Sequence, residues 1–476
     1  MEYEVVIGLE IHAELSTKTK IYCGCKNSFG SEVNSQCCPI CLGMPGTLPT
    51  LNKEVVEYAI RMGHATHCTI NNVTKQDRKN YIYPDLPKAY QISQYDIPLC
   101  ENGYLDFMVY GEKKRVGITR IHIEEDAGKL IHAESFEGSL VDFNRCGVPL
   151  IEIVSEPDIR SPEEAHAYLE TIRSILLYLD ISDCKMQEGS LRCDVNVSLM
   201  PKGSDTFGTR CEMKNVNTFS GAVRAIEYEM ARQKEILDAG GVIEQETRRW
   251  NDAKGVTELL RSKEDAQDYR YFPEPDLRTI YIPEVHVEEL KATIPELPNQ
   301  KIERYMTSYG LPQKEATLLA EDVSRSRFFE QCLEGGKVAP KSVCNWLLGD
   351  IAKVLNERGC ELDDLALTPE RLVELISLID QKTISTTSAK TVLECILDDG
   401  EIAIDQIVKD KGLAQVSDTA VLEAIVTEVL AENAKAVEDY HSGKTNVLGF
   451  LVGQCMKRSK GQGNPGLMRQ LLEEKI

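Results

Sequence analysis

Residues 3–14 alternate apolar and polar side chains, with Ile7, Leu9 and Ile11 on one face and Glu10, His12 and Glu14 on the other. That is the period of a half-buried strand. Residues 191–198 repeat it: Leu191, Cys193, Val195 and Val197 point one way, Arg192, Asp194, Asn196 and Ser198 the other. Short strands broken by Gly, Pro and Asn extend to about Pro283, and two long helices interrupt them. One follows the cap Ser161-Pro162-Glu163-Glu164 and runs to about Leu179; the other runs from near Ser220 to Gly240-Gly241. Strands, helix, strands, helix predict an α+β fold with a largely antiparallel sheet and helices on one side. Prolines then cluster between Phe272 and Pro298, and from Lys301 onward nearly everything has helical period. The expected domains are 1–293, rich in strands, 294–400, all helical, and a small all-helical tail, 401–476.

A chain of 476 residues is too long for one core, in keeping with several domains. No run approaches the roughly 20 apolar residues of a membrane helix, and the acidic start Met1-Glu2-Tyr3-Glu4 resembles neither a signal nor a transit peptide. A cytosolic protein is expected. The net charge of −22 argues against a nucleic-acid binder acting through its whole surface and leaves room for a local basic patch. Such a patch stands between Gly443 and Arg469, where Lys444, Lys457, Arg458, Lys460 and Arg469 occur with no acidic residue. Charge alone fits a phosphate-backbone contact and a solvated helix end equally.

Sixteen cysteines in a cytosolic chain read as thiols with room for a metal site. Cys23-Gly24-Cys25 followed by Cys38-Pro39-Ile40-Cys41 has the spacing of a four-thiolate zinc centre built from two tight turns. The alternative is incidental reduced thiols, and Cys37 competes with Cys38 for the third position. With four protein ligands such a zinc would be structural.

The polar strand faces carry the remaining chemistry. Ile121-His122-Ile123-Glu124-Glu125-Asp126-Ala127-Gly128-Lys129 ends a strand in three carboxylates, and Glu152 lies within an apolar strand, where it needs either Arg145 or a metal as partner. Glu10, Glu124, Glu125 and Glu152 offer oxygens from separate strands, with His12 as a further ligand or a general base, and magnesium prefers oxygens. Gln187-Glu188-Gly189-Ser190-Leu191-Arg192 and Glu212-Met213-Lys214-Asn215 add the cations Arg192 and Lys214. Together they would suit a transferring phosphoryl group; the competing reading is a ladder of cross-strand ion pairs. Two nucleotide-like motifs fail: Gly443-Lys444-Thr445 has Glu438 where a P-loop requires glycine, and Gly461-Gln462-Gly463-Asn464-Pro465-Gly466 follows a helix near the end of the sequence.

Five stretches in order, Gly8-Leu9-Glu10-Ile11-His12, the four cysteines through Gly46, Ile123 to Lys129, Asp268-Tyr269-Arg270-Tyr271-Phe272-Pro273-Glu274-Pro275-Asp276, and Gly453-Gln454-Cys455-Met456-Lys457 through Pro465, resemble the B subunits of the tRNA-dependent amidotransferases, the GatB family. The resemblance implies a cradle-like catalytic domain, a helical domain and a tail that grips tRNA(Gln) or tRNA(Asn). It implies ATP-dependent phosphorylation of the side-chain carboxylate of a mischarged Glu-tRNA(Gln) or Asp-tRNA(Asn). It also implies amide formation with ammonia from a glutaminase of the amidase family, the A subunit, in a heterotrimer completed by a small C subunit. It assigns Glu10, His12, Glu124, Glu125 and Glu152 to the magnesium and transamidation site. Glu188, Arg192, Asp194, Asn196, Lys214 and Asn215 become candidates for ATP contacts, Cys23, Cys25, Cys38 and Cys41 for zinc, and Lys444, Lys457, Arg458 and Lys460 for tRNA.

Overall fold

The structure is a computed structural model describing residues 2–131, 138–262, 268–415, 419–442, 444, 446–459 and 462–476. The chain divides into two compact units, Met1–Gln300 and Lys301–Ile476. Among the described residues no helix is long and apolar enough to cross a membrane.

The first unit is built on a nine-stranded sheet. Its strands are β1 (Tyr3–Glu14), β2 (Thr69–Ile70), β3 (Cys100–Val109), β4 (Glu112–Glu125), β5 (Pro149–Ser155), β6 (Leu191–Pro201), β7 (Cys211–Val216), β8 (Glu246–Asn251) and β9 (Val256–Ser262), in the order β9-β8-β7-β6-β1-β5-β4-β3-β2. All neighbours are antiparallel except β7 and β8, which run parallel and are joined by a crossover helix. The fold is thus mixed α and β with a large, mainly antiparallel sheet and a helical C-terminal part.

Three helices pack on the apolar sheet face: α1 (Lys53–Ala65), α2 (Pro162–Tyr178) and α3 (Phe219–Asp238). Ile7, Leu9 and Ile11 of β1, Val195 and Val197 of β6, Ala59 and Ile60 of α1, Leu169 and Ile172 of α2, and Ala222 and Ile226 of α3 belong to one buried core. Ser161 Oγ accepts from the Glu164 amide and Pro162 opens α2, the start that the sequence predicts. Helix α1 runs against expectation. Its neighbouring Val55 and Val56 favour a strand locally, but Asn52 caps the helix and Val55, Val56, Ala59, Ile60 and Met62 bury one stripe on the sheet. Tertiary burial overrides propensity there.

The described residues of the second unit are almost entirely helical and form two apolar cores. One extends from Tyr305 to Val408 and includes the helix Ile404–Asp410; the other runs from Leu422 to Leu472. Gly359 ends the helix Ala352–Arg358 with φ +61°, a left-handed stop that favours glycine.

One buried polar network locks α3 to the sheet. Glu229 is fully buried and accepts from Arg232 at 2.6 Å, Gln233 at 2.9 Å and Thr257 of β9 at 3.2 Å, while Gln233 donates to the Val197 carbonyl of β6. Burial raises the Glu229 carboxyl, but the Arg232 and Gln233 hydrogen bonds and the charges of Arg232 and Arg248 outweigh it and leave the pKa lowered. Glu229→Gln removes the charge from these hydrogen bonds, although Arg248 and Arg232 keep Glu246 at 2.6 and 3.8 Å, so it should cost about 1.5–3 kcal/mol. Urea unfolding followed by Trp250 fluorescence in a Trp346→Phe background measures this. Because the folded pKa is depressed, the native Glu229 contribution is present above the unfolded value of about 4.3 and is lost as pH falls through the lower folded value. The gap between the two proteins should therefore close in acid.

Candidate active site and cysteine centre

The second face of the sheet is lined by polar residues whose placement follows from register. Pairing sets His122 of β4 opposite Glu152 of β5, Glu152 opposite His12 of β1, and His12 opposite Arg192 of β6. Two residues along β1, Glu10 stands opposite Asp194. Since each strand is buried on its alternate face, these side chains all emerge on one surface.

They gather into three groups. In the first, Glu152 lies between two histidines, 3.4 Å from His12 Nε2 and 3.4 Å from His122 Nε2. His122 also approaches Glu124 at 3.5 Å, and Glu124 accepts from Ser93 at 3.0 Å. His12, Glu124 and Glu152 offer ligand atoms that all lie within 4.8 Å of one another. Burial pulls the His12 imidazole down, but the Glu152 hydrogen bond and the charges of Glu152, Glu124 and Asp194 more than offset this and raise its pKa to about 9. Burial pushes Glu152 up, and the charges of His122, His12 and Lys79 leave it well below the usual carboxylate range.

In the second group Glu10, Asp194 and Glu212 likewise place ligand oxygens within 4.8 Å. Lys214 Nζ reaches Asp194 at 2.5 Å and Glu212 at 2.8 Å, and Asn196 donates to Glu10 at 3.0 Å. Burial, then the charges of Glu152, Glu212 and Asp194, raise the Glu10 carboxyl. A cavity of about 230 Å³ lined by Gly8, Glu10, Ser155, Asn196, Phe207 and Arg210 opens beside it. Three oxygens suit magnesium, which keeps several of its waters.

The third group is at the sheet end. Arg192 donates to Asp126 at 2.6 Å, Arg145 approaches Asp126 at 3.5 Å, and Glu14 is held above its usual pKa by burial and by the Asp126 charge. Arg145 thus serves Asp126, with further bonds to the carbonyls of Ala127 and Gly128. Glu152 finds its partners in histidines instead of Arg145.

Glu125 joins none of these groups. Successive side chains of a strand point to opposite faces, so Glu125 follows Ile121 and Ile123 while Glu124 follows His122. Its carboxylate takes an ion pair from Lys88 and the Ile92 amide at 2.9 Å. Two nucleotide candidates also lie apart. Glu188 pairs at 3.2 Å with exposed Lys185 in the turn before β6, and Asn215, with φ +67°, lines a polar cavity of about 350 Å³ with Asn217, Arg249 and Asp252.

Two residues that sequence reasoning did not assign belong here. His122 stands in the same alternation as Glu124 and could have been read from it. Lys79 comes from the small strand Asp77–Asn80, which pairs with Tyr90–Ser93 and with Phe272–Pro273. There Arg78 makes a two-pronged pair with buried Glu274 at 2.6 and 2.8 Å, and Asn80 bonds the Tyr269 and Arg270 carbonyls. This explains the Asp268–Asp276 motif structurally. Lys79 lies over the Tyr269 ring, and although burial lowers its pKa, the charges of Glu124, Tyr271 and Glu152 raise it overall. No local pattern announces a contact that depends on a segment 190 residues away.

The Sγ atoms of Cys23, Cys25, Cys38 and Cys41 come within 4.8 Å of one another. Cys38 and Cys41 are 3.9 Å apart, close to the ~3.8 Å edge of a tetrahedron with zinc–sulfur bonds near 2.3 Å. The Cys38 amide donates to Cys41 Sγ at 3.0 Å, and Cys37 turns away to the Asn34 carbonyl. The donor set fits zinc.

In the tail the basic residues are largely paired. Lys444 meets Asp439 at 2.9 Å, Arg458 meets Glu428 at 3.0 Å and Glu432 at 2.5 Å, and Arg469 meets Glu473 at 3.1 Å. Lys457 is exposed, and Lys460 lies outside the described residues. The acids facing Arg458 come from the helix Thr419–Glu432, Asp439 stands five residues before Lys444, and Glu473 lies one turn beyond Arg469 in its own helix, so all fall outside the acid-free stretch 443–469.

Comparison with known proteins places this architecture in a class. Residues 5–288 match the family model of the GatB/GatE catalytic domain, and residues 327–476 match a GatB domain. The chain belongs to the family of the B subunits of the aspartyl/glutamyl-tRNA(Asn/Gln) amidotransferases. Proteins of that name from Caldicellulosiruptor saccharolyticus and Caldanaerobacter subterraneus subsp. tengcongensis are each 57% identical to it, over 100% of this chain and 99% and 100% of theirs. One from Clostridium botulinum is 51% identical over 100% of this chain and 99% of its own.

With no metal bound, the His12 imidazole should titrate near 9 in an NMR pH series. Glu152→Gln removes the hydrogen bond and the nearest charge, so the midpoint should move toward the ordinary value of about 6.5. A wild-type midpoint already at that value would contradict the geometry.

Proposed function

We propose that this chain is the component of a tRNA-dependent amidotransferase that uses ATP to activate the side-chain carboxylate of Glu-tRNA(Gln), Asp-tRNA(Asn) or both, and converts it to the amide. The observation that carries this reading is the sheet face with two adjacent ligand groups, His12–Glu124–Glu152 and Glu10–Asp194–Glu212, flanked by Arg192, Lys214 and Lys79. Family membership selects the substrate.

In the first step a substrate carboxylate oxygen forms a bond to the γ-phosphorus and the bond to ADP breaks. In the second, ammonia attacks the acyl carbon, phosphate leaves with the bonding pair, and the nitrogen loses a proton. Magnesium, when bound to Glu10, Asp194 and Glu212, would offset the charge of the ATP oxygens. Lys214 and Arg192 are the protein's own cations near that position, and each must leave a carboxylate to meet phosphate. Protonated His12 is a donor toward the developing charge, Glu124 and Glu152, held ionised, keep it protonated, and the proton that the nitrogen loses passes to the departing phosphate or to solvent. The cavity beside Glu10 offers Phe207 and Arg210 to the rest of the nucleotide. Glu125, paired with Lys88 beside Cys23 and Cys41, would contribute by fixing the strand end from the cysteine side.

Ammonia is supplied by a partner glutaminase, the A subunit, with a small C subunit completing the heterotrimer. Nothing among the sequence motifs of this chain resembles a glutaminase nucleophile. The division into 1–293, 294–400 and 401–476 is part of the proposal, with the last segment binding tRNA through Lys444, Lys457 and Arg458. The ion pairs of Lys444 and Arg458 are exposed and exchange readily for a phosphate contact, and Lys457 is exposed as it stands.

Two measurements test this. With its partner proteins, glutamine, ATP and magnesium, the chain should form Gln-tRNA(Gln) from Glu-tRNA(Gln). Glu10→Gln or His12→Ala should slow charged-tRNA-dependent ADP formation at least ~100-fold with tRNA affinity within ~2-fold, as expected for groups that act in the transition state. Wild-type ADP formation in both variants would leave only a tRNA scaffold. Separately, Lys457→Ala with Arg458→Ala should weaken tRNA binding and lower the slope of log K against log salt by about 1 to 2. An unchanged slope would remove the tail from the interface.

A further inference from the structure

Lys20 follows β1 in the loop that leads to the cysteines, and at 1% exposure it is among the most deeply buried large side chains of the molecule. Its ammonium donates to the Gln36 carbonyl at 2.7 Å and to the Cys146 carbonyl at 2.7 Å, and lies 3.9 Å from Cys41 Sγ. Among the described residues it has no carboxylate partner. A buried ammonium with only neutral acceptors is costly, so this position demands a negative charge nearby. Four thiolates around one divalent ion would supply it, since they leave two negative charges uncompensated.

The Cys146 carbonyl makes the contact more than local. Ile21 N donates to the Gly147 carbonyl at 3.0 Å, Gly147 N to the Asp126 carbonyl at 3.0 Å, and Asp126 N to the Val148 carbonyl at 2.9 Å. The same turn carries Arg145, which meets Asp126 and the two carbonyls after it. Lys20 therefore joins the loop of Gln36 and Cys41 to the turn that fixes the Asp126 end of the polar sheet face.

We propose that Lys20 is the counter-charge and the tether of the cysteine centre. It offsets the thiolate charge of the loaded site and transmits the order of the cysteine loops to the 143–148 turn beside Asp126. This rests on the reading of Cys23, Cys25, Cys38 and Cys41 as a zinc centre. Lys20 is a positioning residue and touches neither substrate nor metal.

Zinc affinity of the full-length chain, measured by competition with a chromophoric chelator, tests the counter-charge. Lys20→Met keeps an unbranched side chain and removes the charge, so it should weaken zinc about tenfold to a hundredfold, while Lys18→Met, an exposed neighbour, should match wild type. Equal affinity in Lys20→Met would overturn the proposal and leave the zinc centre standing. A wild-type chain that binds no zinc would instead remove the zinc reading itself. The tether needs no variant: stripping zinc from the wild-type chain should speed amide hydrogen exchange at Cys146, Gly147 and Val148 and leave α3 unchanged. Exchange in that turn indifferent to zinc would overturn it.

Discussion

The interaction on which the rest depends is the double antiparallel pairing of β1, with β5 on one side and β6 on the other. A strand in the middle of a sheet has no freedom of register, because a slip of one residue would drive Glu10, His12 and Glu14 into the hydrocarbon core and expose Leu9 and Ile11. The apolar face, buried under α1, α2 and α3, therefore sets the chemistry of the other face. Once that packing is fixed, His12 can only stand beside Glu152 and Arg192, and Glu10 beside Asp194.

Electrostatics then divides this face. Around Glu152 the negative charge is met from within the protein, by His12, His122 and the more distant Lys79, and the result is a raised imidazole and depressed carboxylates. At the sheet end Asp126 is met by Arg192 and Arg145. Both are structurally satisfied arrangements, and both resemble the ion-pair ladder that spacing alone allows.

Much of this was legible in the sequence because it obeys a period of two. The helices α2 and α3, the antiparallel character of the sheet and the shared face of Glu10, His12, Arg192, Asp194 and Asn196 all follow from alternation and capping. Adjacent carboxylates were harder: Glu124, Glu125 and Asp126 read as one acidic run, yet the pleat sends Glu124 to the histidines and Glu125 to Lys88. Partners distant in sequence left no signal, as with Arg145 at Asp126, Lys79 over Tyr269, and the acids that neutralise Arg458. Helix α1 was hidden because its β-branched pair contradicts its cap, and only packing decides between them.

Among the three groups on the polar face, Glu10, Asp194 and Glu212 differ in kind. Three carboxylates converge there, of which only Asp194 and Glu212 pair with Lys214, with Arg261 near Glu212 at 3.9 Å, and burial with these like charges raises the Glu10 carboxyl. A group whose pKa is raised by burial and by like charges is one whose ionised form waits for a cation. The His12 group has met that need with its own histidines, and Asp126 has met it with arginines. The unmet demand for positive charge lies at Glu10, beside the 230 Å³ cavity, which is what favours this group over His12 as the cation site in the proposed reaction. In the same proposal His12, its proton held by Glu152, serves as a hydrogen-bond donor.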